Sequence, residues 1–192
     1  RDPRDVVLSQ KNRHLRRKMG GHYVSKKESL RVWANYHPFV ISRLWRNAVS
    51  SALNINNTNI ITVHFEDLLA KPEEVLNQIC QHTGIAFEPT MLKIPQVGSS
   101  TQKDDPSKMG VDAGRSGAWQ RGGLSDAEIA ICENVNGDLM QRLNYSLSGK
   151  KLNMAAKIGY AILLPFKGAL ALALNWNRTK GLLNFLIHRI FK

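Results

Sequence analysis

Apolar side chains recur at intervals of three and four residues along much of the chain, which predicts amphipathic helices. A first helix is expected over 3–18, because a proline opens it and Gly20-Gly21 ends it. A second helix is expected over 25–53, because Ser25 and Glu28 have the spacing of a capping box. The first third of the chain is therefore predicted to be helical.

The pattern changes further along the chain. Residues 60–65 (IITVHF) form the kind of β-branched run that a parallel sheet buries, so we predict a strand there. Helices are expected at 72–83 and at 125–143, the latter opened by a second capping box. Residues 93–124 contain Gly, Ser, Asp, Lys and Pro without periodicity, which predicts a long loop.

The end of the chain combines apolar and basic residues. The stretch 158–176 is mostly apolar, but Pro165 and Lys167 lie in its middle. Because a central lysine costs about 3 kcal/mol on membrane-insertion scales, we expect that this stretch does not span a membrane. The basic, amphipathic end that follows leaves two alternatives open. Residues 158–192 either dock peripherally on a membrane surface or pack against the rest of the protein.

Charge divides the chain into three parts. The 192 residues carry 27 Lys and Arg against 15 Asp and Glu, a net charge of +12. Residues 1–31 have ten basic and three acidic side chains, 32–147 nine and twelve, and 148–192 eight and none. Two basic ends imply anionic partners such as a phosphorylated cofactor, a membrane surface or nucleic acid. Two cysteines without a Cys/His cluster indicate neither a disulfide scaffold nor a zinc site, and we expect no metal.

The first nine residues, RDPRDVVLS, could form an anion site. A phosphate is bound well by a guanidinium and a hydroxyl that converge with the free N–H groups of a helix start. Ser9 would lie about 9 Å further along the helix, a distance that the Arg1 side chain could bridge toward a phosphate held between them. A helix start stabilised by ion pairs between its own arginines and aspartates explains the same residues without a ligand.

Three segments together resemble the sulfotransferases that use 3′-phosphoadenosine 5′-phosphosulfate (PAPS). The pattern Arg-x-Pro-Arg-Asp-x-x-x-Ser at 1–9 is similar to the family's 3′-phosphate-binding motif. The segment 63–73 (VHFEDLLAKPE) is similar to its strand-to-helix segment, and 114–119 (GRSGAW) resembles its late glycine-rich loop. The resemblance covers about 1–147, which would be the C-terminal part of the sulfotransferase domain, and leaves 148–192 as a helical tail.

The resemblance implies an α/β fold: the P-loop-like, three-layer sulfotransferase fold with a parallel sheet, truncated at its N-terminus. It implies that Arg1 and Ser9 hold the 3′-phosphate of PAPS, and that Gly114, Arg115 and Gly117 belong to the loop that closes over this end of the cofactor. The catalytic base and the 5′-phosphosulfate loop are expected upstream of the first motif. These residues alone are therefore expected to be inactive.

Two departures from the family pattern stand out. Phe65 replaces a frequent tyrosine, and the glycine-rich loop lacks the Arg-Lys-Gly triplet of eukaryotic cytosolic enzymes. The acceptor, a hydroxyl or amine compound, is not readable from the sequence. The bacterial-style motifs indicate a cytoplasmic protein, peripheral to a membrane if the tail docks there.

Two other functions compete with the sulfotransferase interpretation. One is a P-loop-type kinase fragment, which would prefer ATP to adenosine 3′,5′-bisphosphate. The other is a basic module for nucleic acid or a membrane surface, whose binding would fall steeply with salt and depend little on Ser9. Because we prefer the sulfotransferase interpretation, we expect no nucleic-acid partner.

Overall fold

A computed structural model describes residues 1–21, 24–55, 57 and 59–190, with side chains described as far as Arg178. The described residues are mainly helical. Their α-helices are α1 (Pro3–Asn12), α2 (Lys26–Asn35), α3 (Pro38–Leu53), α4 (Phe65–Ala70), α5 (Pro72–Thr83), α6 (Asp126–Arg142) and α7 (Met154–Ile190). Short 3₁₀ helices cover Arg13–Met19, Pro89–Leu92, Ala113–Arg115 and Ala118–Arg121. The strands are β1 (Pro95–Gln96) and β2 (Asp105–Met109).

The core forms where α1, α3 and α6 meet, and each of these helices contacts the other two. Val7 and Leu8 of α1 are buried there, as are Trp45 of α3 and Met140 of α6. Removing such side chains from water stabilises the fold by about 1.5–3 kcal/mol each. This packing fixes the start of α1, which carries the first sequence motif.

The first predicted helix is confirmed in outline. It is α-helical as far as Asn12 and continues as a 3₁₀ helix to Met19. Gly20 follows with a φ of +107°, a left-handed conformation that glycine adopts at low cost. A Cβ at this position would lie 2.6 Å from an Asp104 carboxylate oxygen, so the close approach also requires glycine.

The prediction of one helix over 25–53 is wrong. Ser25 does cap a helix, because its Oγ accepts the Glu28 backbone N–H at 3.1 Å. That helix ends at Asn35, and α3 begins separately at Pro38. A proline disfavours helical backbone in the residue before it, and His37 is accordingly extended.

The strand predicted at 60–65 is not found as a sheet strand. Residues 60–64 are non-helical and pair with no strand among the described residues, and Phe65 already begins α4. Ile60 and Ile61 are exposed rather than buried. A parallel strand needs hydrogen-bonded neighbours and cover on both faces. The expected parallel sheet is therefore absent from the described residues.

The long loop predicted at 93–124 contains more order than expected. Strands β1 and β2 form a two-stranded antiparallel sheet with an irregular register, in which Pro95 pairs with Met109 and Gln96 with Asp105. The prediction missed this hairpin because the segment has neither alternation nor a two-residue turn signature. This two-stranded sheet is the β-structure found among the described residues.

The later helices match their predictions closely. Helix α5 spans the predicted 72–83 and ends before Gly84. Helix α6 opens with the predicted capping box, in which the Ser125 and Glu128 side chains each bind the other's backbone N–H. The two local signals were sufficient because each satisfies its helix end without help from distant residues.

The tail forms one helix, α7, which runs through Pro165 and contacts α2. Its segment Met154–Arg178 has a mean hydropathy of 1.5 and is long and apolar enough to cross a membrane by length and composition. None of the corresponding window is buried inside the protein. Phe191 and Lys192, the last positions of the predicted tail, lie outside the described residues.

Candidate functional site

The three segments that resemble sulfotransferase motifs meet at the N-terminus of α1. The Asp2 backbone N–H donates to the Glu66 carboxylate at 2.8 Å. The Asp5 carboxylate accepts the backbone N–H groups of Gly117 and Trp119, both at 2.9 Å. One helix start therefore holds the strand-to-helix segment and the glycine-rich loop at the same place.

The buried Arg4 side chain stabilises this cluster through contacts with three of its neighbours. Its guanidinium donates to the Asp2 carboxylate at 2.7 Å and to Glu133 at 2.8 Å, and it lies 3.8 Å from the centre of the Trp119 ring. Burial opposes the charged form, but the two carboxylates raise the pKa of Arg4 above its ordinary value. The pair with Asp2 confirms the ion-paired helix start that the sequence offered as an explanation without a ligand.

Among the described residues, Asp5 forms no ion pair, and its carboxylate binds the two loop N–H groups instead. It is fully buried, and burial raises the pKa of its carboxyl although the two loop N–H groups favour the ionised form. A carboxylate in this position is a structural acceptor for the glycine-rich loop.

Arg1 lies against the other two segments. Its guanidinium carbon is 4.6 Å from the centre of the Phe65 ring, and one amino group donates to the Arg115 carbonyl at 3.4 Å. The Trp45 indole N–H donates to the Arg1 carbonyl at 3.0 Å. The Arg1 Nε is buried and has no hydrogen-bond partner among the described residues. Phe65, the departure from the family's tyrosine, thus supports Arg1 by a cation–π contact.

A small cavity of about 150 Å³ borders Arg1. Its lining includes Trp45, Thr62, His64 and Tyr145. The Tyr145 hydroxyl donates to the Glu66 carboxylate at 2.9 Å and lies 3.3 Å from the His64 Nδ1. Burial and the neighbouring carboxylate raise the pKa of Tyr145, so this hydroxyl remains a neutral donor.

Ser9 borders a different and larger cavity, of about 650 Å³. Its hydroxyl is 2.7 Å from the Ser100 hydroxyl. Three guanidinium side chains, those of Arg13, Arg16 and Arg178, also line the cavity. Arg16 donates to the Ser99 carbonyl at 3.0 Å and is ion-paired with Asp104. Glu28 lines the cavity too, and its carboxylate lies 3.5 Å from the Arg178 guanidinium. The hydroxyls and the Arg13 guanidinium are donors suited to an anion.

The predicted site residues are therefore distributed over two neighbourhoods. Arg1 lies beside Arg115, and Gly117 is bound by Asp5, so three of the five meet at the start of α1. Gly114, in the same loop, donates its backbone N–H to Asp112 at 2.8 Å. Ser9 and Arg1 line separate cavities. That Ser9 and Arg1 bind one phosphate together stays a prediction.

Sequence reasoning missed two features of these neighbourhoods. Arg13 and Arg16 were counted only as part of the basic N-terminal end, although their spacing after Ser9 brings them to its cavity. Glu133 lies in the middle of α6 and carried no sequence signal of its contact with Arg4. Among the described residues, no group of three or more His, Cys, Asp or Glu could hold a metal ion.

The comparison with protein families agrees with this geometry. Residues 1–89, a little under half of the chain, match the model of the sulfotransferase family, so this part of the chain is similar to that family. The match includes the first two motif segments, and the glycine-rich loop lies beyond it. This similarity supports a transferase enzyme class. A comparison with solved structures found no match.

Proposed function

We propose that this chain belongs to a PAPS-dependent sulfotransferase and supplies the half that holds the 3′-phosphate of the donor. The observation that carries the proposal is the meeting of all three motif segments at the start of α1, through Asp2 and Asp5. Segments that are far apart in sequence and share one site are expected of a ligand-binding constellation. The family match over 1–89 adds the reaction class.

The residues present suit a phosphate. The Ser9 cavity combines hydroxyl donors with the guanidiniums of Arg13 and Arg16, and guanidiniums bind phosphate oxygens through charge-assisted hydrogen bonds. The buried, unpartnered Nε of Arg1 is a further donor near the glycine-rich loop. The P-loop-like fold with a parallel sheet is part of the same proposal.

The bound donor would supply the sulfuryl group, which passes to a hydroxyl or amine acceptor. The residues of this chain would then anchor and orient the adenosine end, and orientation contributes to catalysis because it removes the entropy cost of aligning the reactants. The arginines would neutralise the 3′-phosphate and fix the register of the nucleotide. The groups that stabilise the leaving phosphate are expected upstream of the first motif.

Nucleotide binding tests the proposal directly. Isothermal titration calorimetry should show that adenosine 3′,5′-bisphosphate binds more tightly than AMP or ATP. Ser9→Ala should weaken that binding by about 1–3 kcal/mol, the range for losing a hydrogen bond to a charged group. Ser51→Ala, an exposed serine on α3, is the matched control. Tighter binding of ATP would instead favour the kinase alternative.

A second pair of variants separates the two cavities. Arg1→Ala and Arg13→Ala should each weaken binding of the bisphosphate if both guanidiniums reach the ligand, while Arg43→Ala, an exposed control, should not. If only Arg13→Ala weakens binding of the bisphosphate, the phosphate lies beside Ser9 and does not contact Arg1. Unchanged affinity in Ser9→Ala, Arg1→Ala and Arg13→Ala would contradict the proposed site.

An activity assay tests whether the catalytic groups lie outside these residues. With PAPS and a panel of hydroxyl acceptors, these residues alone should give no sulfated product. Robust sulfation would show that the catalytic groups lie within this chain.

A further inference from the structure

Helix α7 presents an exposed apolar face along most of its described length. Its exposed large apolar side chains are Met154, Ile158, Ile162, Leu163, Phe166, Leu170, Leu172 and Trp176. At 100° per residue these positions occupy about one half of the helix circumference. Phe166 is 69% and Leu172 62% exposed. A continuous apolar surface of this kind is characteristic of an interaction site.

The opposite face of α7 is bound to the protein by polar contacts. The Lys167 ammonium donates to the Trp33 carbonyl at 2.9 Å and lies 4.0 Å from the Trp33 ring centre. Asn175 donates to Asn35 at 3.0 Å, and His37 Nε2 lies 3.1 Å from the Tyr160 carbonyl. The lysine that interrupts the apolar stretch in the sequence is therefore turned away from the exposed face.

These contacts decide between lying on a membrane and crossing it. Helix α2, which α7 contacts, carries the charged side chains of Lys26, Lys27, Glu28 and Arg31. Moving α7 into the hydrocarbon core would either carry those charges with it or break its polar contacts, and both are costly. An orientation parallel to the surface keeps the contacts and buries the apolar face.

The charge around α7 selects the kind of surface. Residues 148–192 contain eight Lys and Arg and no Asp or Glu. Lys151, which precedes α7, is exposed and forms no ion pair among the described residues. Lys157 lies on the same side of the helix as Asn175, away from the apolar face. Basic residues beside an apolar helix face attract anionic lipid headgroups, by roughly fivefold in affinity for each residue close to the surface.

We propose that the exposed face of α7 binds the surface of a membrane that contains anionic phospholipid. The helix lies parallel to the bilayer, with Phe166 and Leu172 in the boundary between headgroups and acyl chains, and Lys151 beside the headgroup phosphates. The protein body remains on the aqueous side through α2. This proposal is independent of the proposed transfer activity.

Vesicle co-sedimentation of the purified protein tests this surface. Vesicles of phosphatidylcholine with one third phosphatidylglycerol should bind it at low salt, and pure phosphatidylcholine should bind it at least roughly fivefold more weakly. The pair of substitutions Phe166→Asp and Leu172→Asp should reduce binding by roughly tenfold or more, because both remove apolar area and add negative charge. Leu44→Asp, at a 60% exposed position of α3, is the matched control and should bind as the unaltered protein does.

Four results would overturn the proposal. The first is that the protein with both Phe166→Asp and Leu172→Asp binds the anionic vesicles as tightly as the unaltered protein. The second is equal binding to neutral and anionic vesicles. The third is self-association, seen by sedimentation velocity as a dimer that Phe166→Asp disperses, without vesicle binding. Extraction of the bound protein by 0.5 M salt at alkaline pH is expected, and resistance to it would indicate a spanning helix instead. Circular dichroism confirms that each variant is folded, and Phe166→Ser serves as the milder second variant.

Discussion

The Asp5 carboxylate and the Trp119 backbone N–H are 2.9 Å apart although 114 positions separate them in the chain. Together with the Gly117 N–H, this contact ties the glycine-rich loop to the first turn of α1. The loop's place in the fold therefore depends on one buried side chain. That dependence connects the sequence motif to the stability of the protein.

Replacing Asp5 should destabilise the protein. In Asp5→Asn the new amide presents an N–H group where an acceptor is needed, so one loop N–H is left buried and unpaired. We expect a loss of about 1–3 kcal/mol in the free energy of unfolding, measured by urea denaturation. Glu88→Gln, the same chemical change at an exposed position, should alter stability by less than about 0.5 kcal/mol. An equal effect of the two substitutions would contradict the role of Asp5.

Replacing Arg4 should lower the free energy of unfolding by more than replacing Asp5 does. Arg4→Met leaves the carboxylates of Asp2 and Glu133 buried without their cation, and breaking such a pair costs about 3–5 kcal/mol. The comparison is Arg46→Met, because Arg46 pairs with the exposed Asp138 and its replacement should lower the stability much less. Thermal unfolding of both variants measures the difference. Similar losses would mean that the buried cluster contributes no more than a surface pair.

Stability should fall in acid partly because of Glu128. Burial alone would raise the pKa of this carboxyl, but hydrogen bonds from Lys11, Tyr36 and the Ser125 N–H lower it below its ordinary value of 4.5. A group whose pKa is depressed on folding adds stability above its unfolded value and loses it as the pH falls through the folded value. Glu128→Gln should therefore be less stable than the unaltered protein at pH 7 and show a smaller decline below pH 4.5. Parallel pH profiles of the two proteins would be the contrary result.

The thiol of Cys132 should be inert in the folded protein. It is completely buried, and burial raises its pKa to about 11. Because the thiolate is the reactive form, alkylation by iodoacetamide at pH 8 should be slow until the protein unfolds. Mass spectrometry with and without guanidinium chloride follows the modification, and Cys132→Ser identifies the site. Rapid labelling of Cys132 without denaturant would contradict its burial.

Local signals in the sequence predicted the helices well where they were complete. The Ser125–Glu128 capping box and the Gly84 stop each satisfy a helix end with neighbouring residues, so they could be read without a structure. The break before Pro38 was also present in the sequence. The apolar periodicity on either side of that proline obscured it.

Long-range features of the site could not be read in this way. The contact between Arg4 and Glu133 joins residues 129 positions apart, and no spacing rule connects them. The resemblance implied that the first motif and the glycine-rich loop share the 3′-phosphate end of the cofactor, and these two segments do meet at the start of α1. Which cavity each side chain borders depends on the direction of α1, so the separation of Ser9 from Arg1 became visible only in three dimensions.

The non-helical segment 60–64 pairs with no strand among the described residues, so its backbone groups are open to pairing with another strand. Thr62, Val63 and His64 also border the cavity beside Arg1. A strand added along this edge would bring its own side chains close to the Arg1 guanidinium. Pairing of a strand with 60–64 would then also complete the wall of the cavity beside Arg1.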